Sequence, residues 1–419
     1  MPDVITLTYR IETAGSVEQL AAKIASDQST GTFVDVPGET AELKARVAAR
    51  VTAIRPLESV AVPSFPDGGP GPFKRADADI EFPLDAIGTD LSALLTIAIN
   101  GIYAIKGFTG IRVVGLKLPQ AFRGIHPGPQ FGVKGSRALT GVQDRPIIGT
   151  IVKPALGLRP HETAELVRGL VEAGADFIKD DEKLMSPAYS PLAERVRVIM
   201  PIILDHEQRT AKKVMYAFGI SHADPDEMMR NHDLVLKAGG NCAVVNINSI
   251  GFGGMSFLRK RSGLVLHAHR NGWDILTRHP GLGMDFSVYQ QFWRLLGVDQ
   301  FQINGIKVKY WEPDDSFVDS FKAVTTPIFS PDDCALPVAG SGQWGGQAPE
   351  TYARTGQTQD LLYLCGGGIV SHPGGPAAGV RAVKQGWEAA VKGIALEVYA
   401  RDHPELAQSL KKFGDGKDA

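Results

Sequence analysis

Four consecutive residues, Lys179-Asp180-Asp181-Glu182, follow the short apolar run Ala175-Asp176-Phe177-Ile178. Side chains on a strand alternate between faces, so Lys179 and Asp181 point the same way, Asp180 points oppositely, and Glu182 turns back where the strand ends. Two carboxylates and one lysine would then converge. An ammonium has no lone pair and cannot bind a metal, so this lysine needs a reason to stand beside two metal-type carboxylates. One chemical answer is that neutral Lys179 captures CO2 as a carbamate, an oxygen-rich anion that completes a hard-cation site suited to Mg2+. The plain alternative is a salt-bridged strand end, since short charge clusters are usually solvated or paired. These four residues leave both readings open.

Further reactive side chains recur at what read as strand ends. Ile151-Val152-Lys153-Pro154 places Lys153 at the end of an apolar run, as a proton carrier or as the partner of an acid. In Leu264-Val265-Leu266-His267-Ala268-His269-Arg270, period two puts His267 and His269 on one face, with His269 nearer the strand end. Arg270 leaves the strand and suits bidentate binding of phosphate or carboxylate. Two glycine runs, Ala339-Gly340-Ser341-Gly342 and Cys365-Gly366-Gly367-Gly368, could aim several backbone N–H groups at an anion, although ordinary turns use glycine as well. Ile303-Asn304-Gly305-Ile306-Lys307-Val308-Lys309-Tyr310 reads either as a glycine-hinged lid carrying a cation over a substrate or as a solvated loop.

These groups need a scaffold that gathers successive strand ends. From Arg145 onward the chain repeats an apolar run, a Gly-rich or charged loop and an amphipathic helix, with strands expected to begin near Ile147, Asp176, Lys213, Cys242, Leu264, Gln300, Ala335 and Leu361. About eight units over about 270 residues predict a (β/α)8 barrel, whose catalytic groups sit at the carboxyl ends of the strands and whose seventh and eighth loops take phosphate. Helices are expected at Glu162–Val171 and Val288–Leu296. A doubly wound open sheet competes, but would not explain chemistry at so many strand ends. Ahead of the barrel, strand-like Val4–Tyr9 and helix-like Val17–Ile24 mark a smaller α+β domain, and the Pro- and Gly-rich stretch Ile125–Gly132 interrupts it. The expected domains are 1–135 and 136–419, followed by a polar tail at Lys411–Lys417 expected to fray.

The 419 residues carry a net charge of −2 with 43% hydrophobic content, enough for two globular domains and without an electrostatic footprint for nucleic acid or anionic membranes. The amino-terminal residues lack a basic segment followed by an apolar core, and no apolar stretch approaches a membrane span, so a cytoplasmic protein is expected. Cys242, Cys334 and Cys365 are too few and too scattered for a disulfide framework or a zinc motif, and are expected to be reduced.

Taken in order, Thr30-Gly31-Thr32, Gly149-Thr150-Ile151-Val152-Lys153-Pro154, Phe177–Glu182, His267-Ala268-His269-Arg270 and Leu364–Gly368 resemble the large subunit of RuBisCO, the CO2-fixing carboxylase, and its RuBisCO-like relatives, through nearly the whole chain. The resemblance implies a ferredoxin-like amino-terminal domain, a carbamylated Lys179 that binds Mg2+ with Asp181 and Glu182, and a homodimer in which the amino-terminal domain of one subunit covers the barrel of another. Thr32 would reach the partner's site near phosphate and Asn100 near the reacting carbons, while Asp27 stands where carboxylases have a glutamate that meets the loop-six lysine, here Lys309.

Departures from the carboxylase pattern narrow the function. Ala155 replaces a second lysine on the first barrel strand, Gln302 and Trp273 replace histidines, and Gly340 replaces a serine. Net CO2 fixation is therefore not expected, whereas a metal-bound enediolate is. Methionine-salvage enolases and isomerases of the family use a lysine at the position of Asn100, and an asparagine cannot abstract a proton. A branch acting on 3-oxo-isoapionate 4-phosphate fits better: this β-keto acid resembles RuBisCO's own carboxylated intermediate, so only late or reversed steps are required. Mg2+-dependent C–C cleavage, by decarboxylation or hydrolysis, is the expected reaction. Lys153, His269, Lys309 and Asn100 would be its catalytic residues, and Thr32, Arg270, Gly342, Gly366 and Gly367 would bind substrate. The alternatives are an enolase or isomerase of a methylthio-sugar phosphate and a non-catalytic RuBisCO-like protein.

Overall fold

The computed structural model describes residues 3–32, 34, 36–66 and 70–414, in two compact units. The first comprises Met1–His126 and Gly272–Trp293. Its strands β1 (Val4–Thr13), β2 (Arg50–Val60), β3 (Phe73–Pro83) and β4 (Gly110–Lys117) pair antiparallel in the order β4-β1-β3-β2, with helices Val17–Asp27 and Leu91–Ile99 in the connections. That is the ferredoxin-like arrangement. The sheet forms because β1 and β3 alternate: Ile5, Leu7, Tyr9 and Ile11 are buried on one face beside Ala76, Ala78, Ile80 and Phe82.

The second unit comprises Pro127–Asn271 and Arg294–Ala419. Here eight parallel strands close into a barrel, so the open-sheet alternative does not apply. They are β5 (Ile147–Ile151), β6 (Phe177–Lys179), β7 (Met215–Gly219), β8 (Cys242–Asn246), β9 (Val265–His269), β11 (Gln300–Asn304), β12 (Leu336–Ala339) and β13 (Leu362–Leu364), each starting within two residues of its expected position. Fully buried strands such as Met215–Gly219 are what a parallel barrel requires, and Ile147, Phe177, Met215, Val244, Val265, Leu336 and Leu362 fill its interior. The first expected helix is Pro160–Glu172 and the second Phe286–Leu295.

Between the two units, the boundary falls at His126/Pro127 rather than at 135. The reason is Asp299, a fully buried residue whose Oδ1 accepts from Phe131 N at 2.6 Å and Gly132 N at 3.2 Å and whose Oδ2 takes Leu266 N and the Arg259 guanidinium. These bonds tie the glycine-rich stretch to the barrel. A second departure is Gly272–Trp293, which follows β9 in sequence yet folds with the first unit, where its short strand β10 (Leu282–Met284) pairs parallel with β4. The expected frayed tail is also partly ordered: Lys411-Lys412-Phe413 closes helix Pro404–Phe413, and the Phe413 ring lies 5.5 Å from that of Trp344, while Asp415–Lys417 lie outside the described residues. All three cysteines are free, two buried and Cys334 half-buried, and among the described residues no helix is long and apolar enough to cross a membrane.

Candidate active site

Strand β6 ends on Lys179 and delivers the acidic run to the barrel mouth. Alternation works as the strand period requires. Asp180 faces outward into a buried cage, accepting from Arg195 Nη2 at 3.1 Å, Tyr216 Oη at 2.7 Å and Gly219 N at 3.1 Å, so its role is to fix the strand end. Lys179 is fully buried; its Nζ donates to the Asp180 carbonyl at 2.9 Å and to Glu182 Oε2 at 3.3 Å. Asp181, 1% exposed, accepts from Lys153 Nζ at 2.7 Å through Oδ2. The two lysines and two carboxylates thus form one alternating cluster.

Burial holds the Lys179 amine below the usual lysine range, although Glu182 and Asp181 pull it the other way. For Glu182, burial pushes the carboxyl up, but Lys179 and His269 outweigh it and hold it down at about 2. His269 Nε2 lies 3.6 Å from Glu182 Oε1, and burial, aided by Lys179 and Arg270, pushes its imidazole down to about 4. It is neutral near neutral pH, and its buried Nδ1 has no protein partner. His267 shares that face but sits deeper: its Nδ1 lies 3.0 Å from Gln300 Oε1, and its ring stacks on Phe177 at 5.3 Å. It belongs to the barrel interior.

The glycine loops bring open backbone beside two lysines. Gly366 caps the short helix Gly367–Val370 directly after β13, and a Cβ placed on it would meet Lys153 Cε at 3.7 Å. Gly342, at φ 100°, has the Lys309 backbone and Cβ within 3.7 Å of the position its own Cβ would take, so loops six and seven pack together. Lys309 is exposed, its ammonium 5.2 Å from the Tyr310 ring centre. Loop six is braced from below by two glutamines: Gln343 Nε2 and Gln347 Nε2 both donate to the Ile306 carbonyl, at 2.9 and 3.0 Å. Arg270 is not left open; its guanidinium grips Glu312.

Three further candidates lie in the first unit. Asn100 is exposed at the end of helix Leu91–Ile99, where its carbonyl accepts from Gln28 Nε2 at 2.6 Å; Thr32 is exposed and its hydroxyl bonds to the Val34 carbonyl. Asp27 pairs with Lys23 at 2.8 Å, one helical turn back. Trp273 is 1% exposed and packs on Tyr289 with ring centres 4.3 Å apart, a core contact of that unit.

Sequence reasoning missed Asn246, Glu312, Gln343 and Gln347. Asn246 ends β8, directly in register with His269 on β9, and its Nδ2 donates to the Glu182 carbonyl at 2.8 Å. A polar residue at the end of the fourth barrel strand was the available signal.

Among the described residues, no three His, Cys, Asp or Glu side chains stand together as a ready metal set. Asp181 and Glu182 supply two hard oxygen donors, and the adjoining buried lysine, driven toward its neutral form, is the chemical species that could be converted into a third. The donor chemistry therefore fits a hard divalent cation with a lysine carbamate.

Residues 132–413 match the family model of the ribulose bisphosphate carboxylase large chain, catalytic domain. The chain belongs to the RuBisCO large-chain family. It is a RuBisCO-like protein, 79% identical over 417 residues to the 3-oxo-isoapionate-4-phosphate decarboxylase of Rhizobium etli, a match covering 99% of this chain and 100% of that one. It is 42% identical to the 3-oxo-isoapionate-4-phosphate transcarboxylase/hydrolase of Xanthobacter autotrophicus, over 98% of this chain and 99% of the relative. Among solved structures, a rubisco-like protein from Burkholderia fungorum superposes with a TM-score of 0.91 at 42% identity, covering 98% of this chain and 100% of that one.

Proposed function

We propose that this RuBisCO-like protein decarboxylates a phosphorylated β-keto sugar acid, with 3-oxo-isoapionate 4-phosphate as its substrate. The observation that carries this reading is the 79% identity, across the full length of both chains, to a decarboxylase named for that substrate. The site chemistry supports it.

In a β-keto acid the bond to the carboxylate breaks with its electron pair passing toward the ketone oxygen; CO2 leaves and the resulting enolate carbon takes one proton. Lys179 as its carbamate, Asp181 and Glu182 would hold Mg2+, which when bound supplies Lewis-acid polarisation of the substrate oxygens. Lys153, set by Asp181 and facing Gly366, is the ammonium paired with the acidic run and returns the proton. Neutral His269 orients a substrate hydroxyl through its partnerless Nδ1. The Gly366-Gly367 loop with Gly342 forms one anion site and Arg270 with Lys309 the other, and between them they hold the phosphate and carboxylate of the substrate. Asn100 and Thr32 reach the site of a partner subunit in a homodimer.

Turnover of 3-oxo-isoapionate 4-phosphate, after preincubation with bicarbonate and Mg2+, should release one CO2 per substrate. Formation of glycolate and phosphoglycerate in place of CO2 would move the protein to hydrolytic cleavage, the activity named for the 42% identical relative. Deuterium exchange without C–C cleavage would assign it to the enolases.

A further inference from the structure

Arg270 follows the last residue of β9, and its guanidinium is engaged by a side chain of loop six. Arg270 Nη2 donates to Glu312 Oε2 at 2.5 Å and Nη1 to Oε1 at 3.5 Å. The Glu312 side chain is 5% exposed and that of Arg270 10%. Asn304 Nδ2, from the end of β11, also donates to Oε2, and Ser316 Oγ, from helix Asp314–Thr325, donates to Oε1 at 3.0 Å. Donors from three elements converge on one carboxylate. Asn304 takes φ 108° to do so, a conformation that non-glycine residues adopt only where their surroundings hold them. The arrangement is a built carboxylate receptor, filled by the protein itself.

We propose that Glu312 is an internal carboxylate that competes with ligand anions for Arg270 and sets the affinity threshold that an anion must clear to bind there. The inference rests on the reading of Arg270 as an anion-binding residue of the proposed site. Exchanging one carboxylate for another on a guanidinium is close to neutral in free energy, so a monoanionic sugar acid gains little by displacing Glu312. A phosphate dianion brings a second charge and a third acceptor oxygen, and it wins the exchange. Because Glu312 lies in the loop that carries Lys309, the same displacement frees the root of that loop. Glu312 thereby imposes one displacement cost on every ligand, a threshold that a dianion clears and a monoanion does not.

The test is calorimetric binding of inorganic phosphate and of glycerate, a monoanionic sugar acid, to full-length protein preincubated with Mg2+ and bicarbonate. Glu312→Gln, which removes the charge and keeps the shape, should tighten phosphate and glycerate by the same factor, about tenfold, since each is relieved of the same displacement cost. Glu312→Asp, which keeps the charge but withdraws it, should tighten both to a smaller extent, and it carries the test if the Gln variant does not fold. Unchanged or weakened phosphate binding in these variants, with Arg270→Ala still weakening phosphate in the parent, overturns the role of Glu312 alone. If Arg270→Ala leaves phosphate binding unchanged, the anion-binding reading of Arg270 fails and this inference with it.

Discussion

Two neighbouring aspartates have opposite fates because a strand turns them to opposite sides. Asp181 faces the barrel mouth and Lys153, whereas Asp180 is locked among Arg195, Tyr216 and Gly219. Replacing Asp180 by Ala strands a fully buried arginine, and the expected loss is about 3–5 kcal/mol of stability, read in a denaturant titration. Asp181→Asn should leave the fold near native yet abolish CO2 release and weaken Mn2+ binding, measured by electron paramagnetic resonance as a stand-in for Mg2+. An Asp181→Asn protein that binds Mn2+ like the parent would remove Asp181 from the metal set. Lys179→Ala should lose the same binding, together with the carbamate carbon signal in spectra taken with 13C-bicarbonate.

At the scale of the loops, two glycines two residues apart do different work. A Cβ on Gly366 would meet only Ile151 Cδ1 and Lys153 Cε, both at 3.7 Å, which is ordinary contact. A Cβ on Gly368 would lie 2.4 Å from the Gln343 carbonyl oxygen and 2.7 Å from Trp344 Cβ, where loop eight rests on loop seven. Gly366→Ala should therefore fold normally but raise KM about tenfold, because the methyl stands between Lys153 and the anion cradle. Gly368→Ala should instead cost about 1–3 kcal/mol of stability, since backbone must move to admit it. Equal melting temperatures for the two variants would contradict this division of labour. The sequence offered both glycine runs as candidate anion loops; which glycine lies open and which is a packing contact it did not show, because that depends on the loop lying opposite.

On the scale of the whole molecule, the proposed homodimer carries a prediction that no single subunit can satisfy. If Asn100 completes the site of a partner, Lys179→Ala and Asn100→Ala proteins, each inactive as homodimers, should regain about a quarter of parental activity when unfolded together and refolded as a mixture. Half the dimers would be mixed, and each would hold one intact site of two. Absence of recovery, with mixed dimers demonstrated by tagged subunits, would place Asn100 outside the partner's site.

The sequence by itself determined the barrel, its eight strand starts and the chemical groups at its mouth, because local periodicity reports which face a side chain takes and glycine and charge mark where strands end. Tertiary structure alone decided how deep each group lies and what it meets. His267 and His269 share a face, but closure of the barrel sets His267 against Gln300 in the interior and His269 against Glu182. The sequence offered Arg270 as a candidate anion binder but not Glu312 as its partner, since the 42 positions that separate them are spanned only in three dimensions. The same holds for Gly272–Trp293, which follows a barrel strand yet folds with the first unit through β10 and β4. Period and composition act over a few residues, whereas depth, partner and domain membership come from contacts between segments far apart in the chain.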